Sequence, residues 1–165
     1  MYKTVMRRYD GRAAAVTAGI GHGGIEAMTV SAASMALYLV SALCWNAGDT
    51  DALLKLAGSA ETVQTVAASL GKYTVGYCLL ACLERVSAML LHISLSVFVF
   101  AAARSRAKRG YLAFAIGLHA IFDMPAALYQ FGYVKQLFPV ELWLAVCALY
   151  ALRSARKCYL EECDA

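Results

Sequence analysis

Charge is scarce in this chain. Only 16% of its 165 residues are Asp, Glu, Lys or Arg, against about 25% in soluble globular domains. Hydrophobic residues make up 61%, above the roughly 45–50% of that class. So little charge cannot cover a surface that faces water on all sides, and a membrane is the economical solvent for it. A basic face interleaved with aromatics is also missing. The net charge is +4 and its cations form short clusters between apolar runs, which argues against nucleic acid as a partner. Zinc-knuckle spacing is absent too: Cys158 and Cys163 lie in a short tail behind basic residues, with no histidine beside them. Cys44, Cys78, Cys82 and Cys147 fall inside apolar segments, where cysteine serves as a small packing residue, so all six read as free thiols. No clean signal-peptide core follows the basic N-terminus, because Gly21-His22-Gly23-Gly24-Ile25-Glu26 interrupts the run, and no cleavage is expected. Without an internal repeat, low-complexity tract or linker, residues 1–165 read as one transmembrane domain.

What the sequence does have is long apolar runs. The first extends from Ala13 to about Trp45 and stops at Asn46-Ala47-Gly48-Asp49-Thr50-Asp51. At the helical rise it is long enough to cross about 30 Å of hydrocarbon. Ala52 to Lys72 mixes Leu, Val and Ala with Lys55, Glu61, Gln64 and Lys72, the pattern of one short amphipathic helix at the interface. Further spans are predicted over 73–103, 111–129 and, shorter, 138–152. Trp45, Tyr73, Tyr111 and Tyr129 stand near their ends, as an aromatic belt requires. Lys3, Arg7, Arg8 and Arg12 precede the first span, Arg104, Arg106, Lys108 and Arg109 join the second to the third, and Arg153, Arg156 and Lys157 follow the fourth. The positive-inside rule puts all of these on one side. The expectation is an all-α, polytopic transmembrane helix bundle of four spans in the cell membrane, with both termini cytoplasmic.

The chain has three histidines, His22, His92 and His119, and each falls inside a predicted span, where ionisable groups are costly and mark function or pairing. Each has acidic company. His22 and Glu26 are four apart, as are His119 and Asp123, so each pair shares a helix face. Glu84 and Arg85 precede His92 by eight and seven residues, about two turns. Counted from Arg12, Arg104 and Arg109, the histidines all lie roughly 15–18 Å below the same membrane face. Glu26 and Asp123 come out together at about 21 Å, and Glu84 farther out at about 30 Å. Imidazoles and carboxylates from three spans in one layer suit a divalent ion, with a further carboxylate taking a proton from water, the requirements of metal-assisted hydrolysis. Gly19, Gly21, Gly23 and Gly24 would let another helix or a substrate backbone come close. The plainer alternatives are helix packing for the glycines and histidines, and a register-fixing ion pair for Glu84 and Arg85.

Gly21-His22-Gly23-Gly24-Ile25-Glu26, then Glu84-Arg85 followed by His92 and Leu95-Ser96, then His119-Ala120 with Asp123, resemble the motif series of the YhfC-type intramembrane metalloproteases. That group is itself similar to the CAAX-prenyl-protease and bacteriocin-processing (CPBP) superfamily. The resemblance covers about residues 15 to 130. It implies Glu26 as the base that activates water, His92, His119 and Asp123 as metal-binding or oxyanion-stabilising residues, and His22 as an auxiliary, with Glu84 and Arg85 joining the catalytic set. The implied cofactor is a divalent metal ion, zinc being the expected one, and the implied substrate a membrane-associated peptide or protein. Members of that family carry additional spans before the Gly-His-Gly-Gly motif, so the resemblance implies a chain shortened at its N-terminus. The superfamily's paired glutamates followed by arginine are absent, a departure that bears on the metal set more than on the role of Glu26. Two other functions fit the same residues: a haem- or metal-binding membrane protein, with histidines as axial ligands, and a catalytically inactive membrane scaffold.

Overall fold

The structure is a computed structural model and describes residues 12–161. It is an all-α membrane helix bundle. Among the described residues seven α-helices follow one another: α1 (Arg12–Glu26), α2 (Ala33–Ala47), α3 (Thr50–Ala57), α4 (Ala60–Leu70), α5 (Val75–Arg104), α6 (Gly110–Gln130) and α7 (Leu137–Glu161). A π-helical segment, Ala27–Ala32, joins α1 to α2, so that Ala13–Ala47 is one continuous apolar helix. With Val75–Arg104, Arg106–Gln130 and Leu137–Leu160 it makes, among the described residues, four helices long and apolar enough to cross a membrane.

Packing divides the described residues into two compact units, one of residues 12–24 with 82–161, the other of Ile25–Ala81. In the first unit α5 is the inner helix, burying Leu91, Leu95, Phe98 and Ala101 on one stripe. From α6 come Ala115, Leu118 and Phe122, and from α7 Val140, Leu144, Ala148, Ala151 and Ala155. Between lipid-bathed helices the hydrophobic effect offers little drive, so small residues that permit close backbone approach carry the packing, as the three alanines of α7 do here. Ile116, Val146 and Leu149 remain exposed, as lipid-facing positions require. Pro125 lies within α6 and has no N–H to give the Ile121 carbonyl four residues back. The indole N–H of Trp143 on α7 donates to that carbonyl at 3.4 Å, so the gap in one helix becomes a tie to the next.

Glycines place α1 on α5. A Cβ built on Gly19 would stand 2.5 Å from Ile93 Cα and 2.9 Å from the His92 carbonyl oxygen, and one on Gly23 3.0 Å from Met89 Sδ and 3.2 Å from His92 Cβ. These two, four apart, form the small-residue face of α1. Gly21 and Gly24 meet nothing within 4 Å, so the close approach expected of all four belongs to two. Gly19→Ala should cost about 1–3 kcal/mol of stability, because the neighbour at Gly19 is backbone and cannot swing away. Gly24→Ala should cost far less. Thermal unfolding of the detergent-solubilised chain checks both, and equal losses would remove Gly19 from the helix contact.

In the second unit the expected single amphipathic helix is divided. Asp49 caps α3 by accepting from Ala52 N at 2.9 Å, Gly58 ends it at φ 80°, and Ser59 opens α4 by accepting from Thr62 N at 3.1 Å. A left-handed glycine followed by a serine cap is a stop and a new start. The π segment also has a local cause. Thr29 Oγ1 donates to the Ile25 carbonyl at 2.8 Å and lies 3.3 Å from that of Glu26, competing with the backbone for the carbonyls of the preceding turn. Ala33 N–H then bonds Met28 O, five residues back.

Helix α7 continues past position 152 through Arg153, Arg156 and Lys157, since arginine, lysine and alanine are good helix formers wherever hydrocarbon ends. Cys158, expected in a tail, is therefore buried on the packing face of α7. The five described cysteines are free, and Cys163 lies outside the described residues.

Candidate metal centre

With α1 seated on α5 through Gly19 and Gly23, His22 comes against His92. Their ring centroids are 4.9 Å apart at an interplanar angle of 62°. His92 is buried, 5% exposed, and its other side meets His119 of α6, 5.1 Å between centroids at 83°. The histidines that depth counting assigned to one layer thus stand in a row, His92 in the middle. At the far end His119 Nε2 pairs with Asp123 Oδ2 at 3.2 Å, one helical turn away on the same face.

Glu26 occupies the last turn of α1, four residues after His22, so the helix itself fixes its place beside that ring. One ligand atom each from His22, Glu26 and His92 lies within 4.8 Å of the others, the single such group among the described residues. His22 is exposed and Glu26 half-buried. A tetrahedral ion with bonds of about 2.0–2.2 Å brings its donors roughly 3.3–3.6 Å apart. Side-chain rotation can close the remaining ångström, and two imidazoles with a carboxylate are a donor set that zinc and similar divalent ions accept. The cluster is therefore capable of coordinating a divalent metal ion.

His119 and Asp123 adjoin this cluster through His92 without belonging to the group of mutually close ligand atoms. Glu84 and Arg85 stand apart from it. They form an ion pair with each other, both partly buried, about two turns along α5 from His92. The sequence reading missed Glu141 of α7, which is 3% exposed, has Glu84 and Arg85 as its charged neighbours and has no hydrogen-bond partner for Oε2 among the described residues. An acidic residue at the fourth position of the fourth apolar run was the available signal.

Four membrane-length helices and a histidine–glutamate–histidine cluster between two of them define a class, polytopic membrane proteins with a metal-capable centre. Residues 1–144 match the family described as "YhfC intramembrane metalloprotease", and the chain belongs to that YhfC family, as its motif series implied. It is 32% identical over 149 residues to the "Uncharacterized membrane protein YhfC" of Bacillus subtilis (strain 168), with 90% of this chain and 57% of that protein aligned. The chain thus spans a little over half the length of the curated relative. No solved structure matches it.

Proposed function

We propose that the chain carries the centre of a metal-dependent endopeptidase that hydrolyses a peptide bond of a membrane-associated substrate. The observation that carries this reading is the proximity of the ligand atoms of His22, Glu26 and His92. His22 and His92 would hold the ion, and His119, in ring contact with His92, is the next imidazole available to it. When bound, a zinc or similar divalent ion supplies Lewis-acid polarisation of water and of the scissile carbonyl. Glu26 accepts the proton that water loses as it attacks, and returns it to the leaving amine. Asp123 holds the orientation of His119 through its 3.2 Å contact, the arrangement by which a carboxylate fixes an imidazole's rotation and tautomer. Glu84 and Arg85 pair with each other on α5 and, with Glu141, stand outside the reacting atoms. The edge-on contacts of the three rings leave no gap for a porphyrin plane, which favours an ion over haem. The positive-inside rule, applied to Arg104, Arg106, Lys108 and Arg109 and to Arg153, Arg156 and Lys157, supports a cytoplasmic side for both termini.

Metal removal tests this directly. The purified chain, dialysed against zinc, should retain about one ion, and a quenched-fluorescence transmembrane peptide should be cut only while it does. A chelator should stop cleavage and zinc restore it. Cleavage that survives complete metal removal would sink the proposal.

A further inference from the structure

The basic end of the first compact unit contains a cavity that the hydrolytic centre does not use. It measures about 520 Å³ and lies between α5, α6 and α7, lined by Phe98, Gly110, Tyr111, Phe114, Ser154 and Lys157 among others. Its aromatic wall is already assembled: the Phe98 ring sits 5.6 Å from that of Tyr111 and 5.2 Å from that of Phe114, both edge-on. Gly110 narrows nothing, since a Cβ built there meets no atom within 4 Å. On the rim stands the exposed Lys157. In sequence, cations flank the lining residues: Arg104 ends α5, Arg106, Lys108 and Arg109 lie between α5 and α6, and Arg153 and Arg156 lie on α7.

We infer that this cavity is a binding site for one anionic phospholipid. The chemistry matches at both ends of such a molecule. A phosphodiester meets Lys157, with the hydroxyls of Ser154 and Tyr111 as donors, while the glycerol and first acyl carbons lie against Phe98 and Phe114. The site opens where the apolar windows of three spans give way to basic residues, the depth at which a headgroup sits. Basic pockets between membrane helices at such a margin select anionic over zwitterionic headgroups. A free phosphate ester would answer to the cations alone and leave the aromatic wall uncovered.

The 165-residue chain in detergent, titrated with phosphatidylglycerol and separately with phosphatidylcholine and followed by native mass spectrometry, tests the inference. Phosphatidylglycerol should bind at least about fivefold tighter, the effect of roughly one well-placed cation. Lys157→Gln should erase that preference, whereas Lys135→Gln, which removes an exposed cation before α7, should keep it. Ser154→Trp should weaken both lipids by filling the cavity. Phe114→Ser, which changes an exposed ring, should do so by removing the apolar wall and serves if the tryptophan variant does not fold. Glycerophosphate should compete at least about tenfold less well than phosphatidylglycerol. Equal binding of the two lipids, equal effects of the two lysine variants, or competition by glycerophosphate at the concentration of the lipid would each overturn the assignment, the last by making the ligand a soluble phosphate ester.

Discussion

Glu26→Gln should lower cleavage of a membrane-spanning reporter peptide by about 10²–10⁴-fold, the usual contribution of a positioned general base, while the chain still inserts and still retains its ion. The amide keeps the shape of the glutamate but has no site for a water proton at neutral pH. Glu26 is half-buried at the end of α1, so the substitution leaves no buried charge and little change in packing. Single-turnover cleavage together with metal content separates the possible roles. Loss of cleavage with the ion retained assigns Glu26 to proton transfer; loss of both makes it a ligand, because its carboxylate lies close enough to His22 and His92 to serve as one. Cleavage at the wild-type rate would remove Glu26 from the mechanism altogether.

His92→Ala should have the second large effect and a different profile. His92 is in ring contact with both His22 and His119, so its loss should empty the centre of metal and reduce cleavage by more than about 10²-fold, since removing a group that only orients a ligand already costs about 10–100-fold. His92 is also buried, and the vacated space should lower the unfolding temperature. His22→Ala, at an exposed position, should lose metal with a smaller loss of stability. Measuring metal content and thermal unfolding on both variants distinguishes ligation from packing. If the alanine at 92 destabilises the chain and metal stays bound, the cluster is a packing contact.

The spans were legible in the sequence because long apolar runs need no knowledge of tertiary contacts. The common depth of the histidines was legible for a related reason: rise per residue is constant along a helix, so counting from basic margins measures depth. Rotation about the helix axis is not counted that way. It decided which glycines of α1 face α5, Gly19 and Gly23 and not Gly21 and Gly24. It also brings His22, which the resemblance made an auxiliary, into the group of mutually close ligand atoms with Glu26 and His92. Glu141 escaped for another reason. Its charged neighbours Glu84 and Arg85 are more than fifty residues away in sequence, and no local spacing joins them. The break at Gly58-Ser59 was written in residues that stop and start helices, yet an amphipathic pattern running through both halves concealed it.

The bond from Trp143 to the carbonyl that Pro125 leaves without its usual donor has a practical consequence. Ile121 lies midway between His119 and Asp123 on α6, so an indole is tethered to the backbone beside the pair that adjoins the metal-capable cluster. The chain has two tryptophans, and Trp45→Phe would leave Trp143 as the lone indole chromophore. Indole emission responds to hydrogen bonding and to local polarity, so the protein carries a built-in optical gauge of how α6 sits on α7. Ion uptake or substrate entry could be followed through it in real time, without attaching a dye to a helix that faces lipid.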